Sequence, residues 1–303
     1  MSFTVGKPEL GRIRRPDGSF GMLAVDQRES LRALLASHGA VASDDALTHF
    51  KQVAVEQLAP HASGVLLDLE YGLAGSVPEL PEGCGLIVAA DRFVQPAGCP
   101  ILESELDPRI TPEYARQVNA AALKLLVLWR ADGSAEQRRD VIGQFLALCQ
   151  AAQLPSVLEA VVRPGRERDW SSSEERDDAI LSATEEFASL NADLYKLEVP
   201  GFGRLPRDEL VAKAKAITQC LPSPWVVLSS GVLPDHFPDA VAAACEGGAD
   251  GFLAGRGIWS DALGSDDLVN SLRTEAVARI VRLTEAVGVG LASRNATVGT
   301  EDR

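Results

Sequence analysis

Eight short β-rich runs recur along this chain, each closed by a polar residue or a Gly/Pro break. They are FGMLAVD (20–26), GVLLDLE (64–70), GLIVAAD (85–91), ALKLLVLWR (122–130), PSVLEAVVR (155–163), ADLYKLEVP (192–200), WVVLSSG (225–231) and DGFLAGR (250–256). Between most of them lie segments such as RESLRALLASHG, ALTHFKQVAVEQLAP, AEQRRDVIGQFLALCQAAQ and RDELVAKAKAITQCL. Their apolar residues return at spacings of three and four, the period of a helix with one buried face. Strict alternation of strand and helix predicts an α/β fold, and eight repeats predict a (β/α)8 TIM barrel, with a doubly wound sheet as the alternative. A length of 303 residues suits a single barrel domain over 1–303.

Two segments depart from the rhythm. YGLAGSVPELPEGC, residues 71–84, carries two prolines and three glycines, so it reads as a loop over the strand ends rather than a helix. From about residue 290 the sequence GLASRNATVGTEDR is polar and aperiodic, and reads as a loose tail.

In a barrel of this kind the reacting groups stand at or near the C-terminal ends of the strands. Alternation puts Lys196 on one face with Leu194 and Glu198, Lys124 with Leu126 and Leu128, and Glu159 with Val157 and Val161. If those faces point inward, strands 4, 5 and 6 bring two lysines and a carboxylate together, and Asp26, closing strand 1, leans over the same cavity. Two ammonium groups in a poorly hydrated place repel, and both repulsion and desolvation lower a lysine pKa. A free amine can attack a ketone and form a Schiff base, and the resulting iminium draws electrons from a neighbouring C–C bond. Carboxylates beside it can carry the protons. The plainer alternative is a buried Lys–Glu ion pair without chemistry. Three mid-strand charges on adjacent strands, each costing on the order of several kcal/mol to bury unpaired, favour function.

Strands 7 and 8 end on LSSGV and LAGRGIW, each with a glycine after an apolar run. Ser230, Gly231, Gly255 and Arg256 could there surround an anion with backbone N–H groups, a hydroxyl and a guanidinium, although a tight turn explains the glycines equally well. AVDQRES sets Gln27 and Arg28 beside Asp26, with Arg28 either a ligand or a surface residue of the first helix.

Other chemistries lack support. The four histidines His38, His49, His61 and His236 form no pair at ligand spacing, so no metal is expected. No GxGxxG or P-loop is present, so no nucleotide cofactor is expected either. A net charge of −14 argues against nucleic acid and anionic membrane surfaces as partners. Cys84, Cys99, Cys149, Cys220 and Cys245 are scattered and odd in number, as for free thiols in a reducing compartment. MSFTVGKPELGRIRRPDG has no apolar leader core, and a cytoplasmic location is expected.

Taken in order, FGMLAVDQRESLRALL, ALKLLVLWRADGSAEQR, LEAVVRP, ADLYKLEVP, VVLSSGV and GFLAGRGIW resemble the class I aldolases of the tagatose-1,6-bisphosphate aldolase family, over residues 18 to 285 or so. Within it, LKLLVLWR and VVRPGRERDW resemble the branch acting on 6-deoxy-6-sulfofructose 1-phosphate, whereas LLDLEYGL looks more like the bisphosphate enzymes. The resemblance implies Schiff-base cleavage of a ketose 1-phosphate, with dihydroxyacetone phosphate and sulfolactaldehyde as products in the sulfosugar branch. Tagatose or fructose 1,6-bisphosphate is the alternative substrate, and a catalytically silent sugar-phosphate-binding barrel a further one. On this likeness Lys196 matches the Schiff-base lysine, and Asp26, Lys124 and Glu159 match the polar residues around it. Ser230, Gly231, Gly255 and Arg256 match the cradle of the dihydroxyacetone-phosphate end, and Gln27 and Arg28 the region near the distal anion. A homo-oligomer without a cofactor is implied.

Overall fold

The structure, a computed structural model, describes residues 9–94, 101–166 and 168–301. Among the described residues ten strands run in chain order: β1 (Phe20–Val25), β2 (Gly64–Leu67), β3 (Gly85–Ala89), β4 (Asp91–Val94), β5 (Glu103–Leu106), β6 (Ala122–Trp129), β7 (Ser156–Val162), β8 (Leu194–Glu198), β9 (Trp225–Leu228) and β10 (Gly251–Ala254). Eight of them close into a parallel barrel in the order β1-β10-β9-β8-β7-β6-β3-β2, and these are the eight runs read from the sequence. A closed ring excludes the doubly wound sheet.

Among the described residues ten α-helices accompany them: α1 (Glu29–Ser37), α2 (Asp44–Leu58), α3 (Pro112–Gln117), α4 (Ala135–Ala152), α5 (Ser173–Ala188), α6 (Arg207–Cys220), α7 (Phe237–Glu246), α8 (Arg256–Trp259), α9 (Leu268–Ser271) and α10 (Val277–Glu301). Serine hydroxyls start the long ones by accepting a free N–H of the first turn: Ser43 from Ala46, Ser134 from Gln137 and Ser172 from Glu175.

Strand alternation divides the core in two. Outward residues such as Leu23, Leu125, Leu158 and Val227 pack under Phe50, Phe145, Phe187 and Phe237 of the helices. Inward residues Phe20, Met22, Leu66, Ile87, Ala122, Val157, Leu194, Val226 and Leu253 fill the lower barrel. Ile13, from a 3-10 turn ahead of β1, joins this inner cluster and stoppers the N-terminal end. Only the other end, above the apolar plug, is left for polar side chains.

Residues 71–84 form turns without a helix, as expected. Two elements differ from expectation. An antiparallel hairpin, β4 paired with β5, interrupts the β3–β6 crossover. The expected loose tail is instead the end of α10, helical to Glu301. Val287 is buried, and Gly290 sits so close to α7 that a Cβ there would lie 2.3 Å from Ala242 O. Arg294 donates to Ala249 O at 3.3 Å. Packing, which the polar composition concealed, holds this stretch in helix. The described cysteines Cys84, Cys149, Cys220 and Cys245 are free thiols, and Cys99 lies outside the described residues. Among the described residues no helix is long and apolar enough to cross a membrane.

Candidate functional site

Above the plug, the next inward positions of six neighbouring strand ends are charged. Asp26 follows β1, Asp68 follows β2, Asp91 opens β4 directly after β3, Lys124 lies in β6, Glu159 in β7 and Lys196 in β8. Register puts Glu159 directly opposite Lys196 across the β7–β8 pair. The structure thus brings together all four residues expected to carry chemistry.

Lys124 is the hub. Its Nζ, with no exposed surface, lies 2.8 Å from Asp26 Oδ2, 3.0 Å from Asp91 Oδ2 and 2.8 Å from Glu159 Oε2. Burial alone would favour the neutral amine, but the fields of Asp26, Asp91 and Glu159 overcome it and hold the ammonium well above the ordinary lysine value. Lys124 is a permanent cation. Burial likewise pushes the Asp26 carboxyl up, yet Lys124, then Lys196 and Arg28, hold it well below the usual carboxylate range.

Lys196 is 4% exposed, and its Nζ lies 3.0 Å from Glu159 Oε1. Glu159 therefore stands between the two lysines, as the order of their strands implies, and each lysine faces its carboxylate rather than the other ammonium. Its Oε2, though close to Lys124, accepts no hydrogen bond and is free to take one from a substrate hydroxyl.

The charges continue outward as an alternating series. Arg28 Nη1 is 3.1 Å from Asp91 Oδ1, its Nη2 donates to Asp91 O at 2.9 Å, and its Nε is 3.8 Å from Asp68 Oδ2. Asp68 also pairs with the buried Lys51 of α2, which donates to Val25 O at 2.8 Å. Phe93 of the hairpin covers the Arg28 guanidinium at 4.7 Å. Arg28, expected beside a distal anion, is thus committed to two carboxylates and shielded by an aromatic ring. Lys51, Arg28, Lys124 and Lys196 face Asp68, Asp91, Asp26 and Glu159, four cations against four carboxylates.

Of the remaining expected residues, Gly255 brings β10 against β1: a Cβ there would lie 2.5 Å from Ala24 O and 2.8 Å from Gln27 Nε2. Gln27 thus borders the cradle, with its buried Oε1 unpartnered. Ser230 and Gly231 form a turn after β9, and Gly231, at φ +73°, has no room for a Cβ against Phe202. Ser229 Oγ accepts from Gly257 N at 3.3 Å and ties this turn to α8. Arg256 is exposed at the rim with no ion pair among the described residues.

Asp68, Asp91 and Lys51 escaped sequence reasoning. For the two aspartates the signal was present: LAVD, VLLD and IVAAD end three strands alike, and the rule that selected Asp26 selects them too. Lys51 sits in a helix whose sequence gives no hint that it turns toward a strand end.

The arrangement offers an amine on a carboxylate, a fixed ammonium, and an open rim with a guanidinium: equipment for attack on the carbonyl of an anionic substrate. Comparison with known proteins agrees with that chemistry. A family described as DeoC/LacD family aldolase matches residues 20–261. A tagatose 1,6-diphosphate aldolase of Listeria monocytogenes serotype 4a is 28% identical over 319 aligned residues, covering 96% of this chain and 94% of that one. A tagatose 1,6-diphosphate aldolase 1 of Streptococcus mutans is 28% identical, covering 92% and 94%. Among solved structures, a fructose-bisphosphate aldolase of Plasmodium falciparum superposes with a TM-score of 0.71 at 14% identity, covering 93% of each chain. At that identity the likeness speaks for the barrel alone.

Proposed function

This chain belongs to the DeoC/LacD family of aldolases, carbon–carbon lyases, and from that membership we propose that it cleaves a ketose 1-phosphate through a Schiff base on Lys196. The observation that carries the reading is the Lys124–Glu159–Lys196 bridge at the open end of the barrel.

In this scheme Lys196 Nζ adds to the C2 carbonyl, and Glu159, 3.0 Å away, passes the proton that lets carbinolamine water depart. The iminium then accepts the electron pair of the C3–C4 bond while the C4 hydroxyl gives up its proton. Glu159 is the better acceptor, because it touches the nucleophile. Asp26, held strongly ionised, orients a substrate hydroxyl as a hydrogen-bond acceptor. Protonation of the enamine at C3 and hydrolysis release dihydroxyacetone phosphate. Lys124 keeps the three carboxylates compact and adds positive charge beside the amine. Ser230, Gly231, Gly255 and Arg256 receive the 1-phosphate.

The tagatose 1,6-diphosphate aldolases that cover nearly the whole chain support tagatose 1,6-bisphosphate as substrate. LKLLVLWR and VVRPGRERDW favour a second reading, 6-deoxy-6-sulfofructose 1-phosphate cleaved to sulfolactaldehyde. Both share one experiment. Borohydride reduction with dihydroxyacetone phosphate should leave a covalent adduct on Lys196, and Lys196→Met should lose both the adduct and at least about a thousandfold in kcat. An unaltered turnover in Lys196→Met would sink the scheme, and absence of any adduct in the wild type would leave a sugar-phosphate-binding barrel.

A further inference from the structure

Three arginines stand at the strand ends around the mouth without a carboxylate partner among the described residues: Arg130 after β6, Arg163 after β7 and Arg256 after β10. Arg163 continues the inward-facing positions of β7, above Val157, Glu159 and Val161. It is half-buried, and among the described residues its guanidinium donates to Val162 O at 2.9 Å and to no side chain. Among the described residues the Arg130 guanidinium likewise donates to a backbone carbonyl alone, Pro164 O at 3.3 Å.

The carboxylate whose field reaches Arg163 is already engaged. Glu198 spends Oε1 on Arg176 at 3.1 Å and accepts Val162 N on Oε2 at 2.7 Å. Burial lowers the Arg163 pKa from its ordinary value, Glu198 opposes this, and the positive charges of Arg130, Arg256 and Arg176 add to the lowering. A chain with 43 acidic and 29 basic residues had ample carboxylates for such a place, yet left these cations crowded. Crowded guanidiniums without a resident counter-charge suit an anion that arrives with the substrate.

Arg256 lies beside the glycine turns that receive the 1-phosphate. Arg28 is already held by Asp91 and Asp68 under Phe93. We infer that Arg163 grips the oxyanion at the far end of the ketose, a phosphate or a sulfonate, and thereby selects doubly charged sugars, those with an anionic group at each end, over those with a single phosphate. The inference rests on the ketose 1-phosphate aldolase reading and adds the residue that sets its substrate range. A planar guanidinium fork offers two parallel N–H donors to either tetrahedral group.

The test compares wild type, Arg163→Gln and Arg163→Lys on tagatose 1,6-bisphosphate, 6-deoxy-6-sulfofructose 1-phosphate and fructose 1-phosphate. Arg163→Gln should lose roughly ten- to a hundredfold in kcat/KM on the doubly charged substrates, the loss of one charge-assisted contact, and no more than about threefold on fructose 1-phosphate. Arg163→Lys should recover part of it. Which of the two doubly charged substrates wild type prefers identifies the far group as phosphate or sulfonate. The borohydride adduct with dihydroxyacetone phosphate should be unchanged in the variants, and the melting temperature equal or higher, since a repelled cation has been removed. A uniform loss on all three sugars, or none on the doubly charged pair, overturns the assignment. A wild type that forms no adduct overturns the aldolase reading itself, and this inference with it.

Discussion

Asp91 illustrates how closely the buried charges depend on one another. One of its oxygens accepts from Lys124 Nζ and from Leu126 N, each at 3.0 Å, and the other takes Arg28 at 3.1 Å. Asp91→Ala would take from an ammonium and a guanidinium the one carboxylate they share, in a space with almost no water. We expect a loss of about 3–5 kcal/mol in urea unfolding, the range for removing one partner of a buried pair. A loss below about 1 kcal/mol would mean that solvent already reaches these groups. Lys124, Glu159 and Lys196 were legible in the sequence because a charge inside a buried strand violates its surroundings. The fate of Arg28 was not. Its partners lie 40 and 63 positions away, and only the parallel pairing of β1, β2 and β3 brings the end of β2 and the start of β4 to it.

At the level of elements, barrel strands announced themselves because they are buried on both faces and read as continuous apolar runs. The β4–β5 hairpin did not. Asp91 alone of DRFV and ESEL is buried, and Arg92 pairs with Glu105 at 2.5 Å with both side chains about half exposed, so no hydrophobic period marks them. The end of α10 was hidden for a related reason: a glycine, a poor helix former, is what its close packing on α7 requires. Gly290→Val should therefore destabilise by roughly 1–3 kcal/mol through overpacking, although valine carries the better side chain for burial. The seam of the barrel makes the same demand. Gly251 has φ +142°, and a Cβ there would lie 1.9 Å from Phe20 O, so Gly251→Ala should destabilise more than Gly290→Val. Thermal unfolding of the two variants side by side checks that order.

For the molecule as a whole, the buried network sets a pH window. Asp26 titrates lower in the folded state than its ordinary 3.8, so its contribution is complete above that value and disappears as pH falls through the folded one. Lys124 titrates higher than its ordinary 10.5, so its contribution is complete below that value and disappears as pH rises through the folded one. Stability should be level from about pH 5 to 9 and decline on both sides, as denaturant midpoints across pH would record. Asp26→Asn should flatten the acid limb selectively.

The contrast between floor and rim bears on how such an enzyme can change its diet. Each floor charge answers to two or more neighbours, so altering one upsets several, and the reaction is inherited as a block. The rim arginines answer to no carboxylate, so one can be exchanged while the floor keeps its chemistry. Descendants of such a barrel can adopt new sugars by single steps at the mouth without passing through an inactive ancestor.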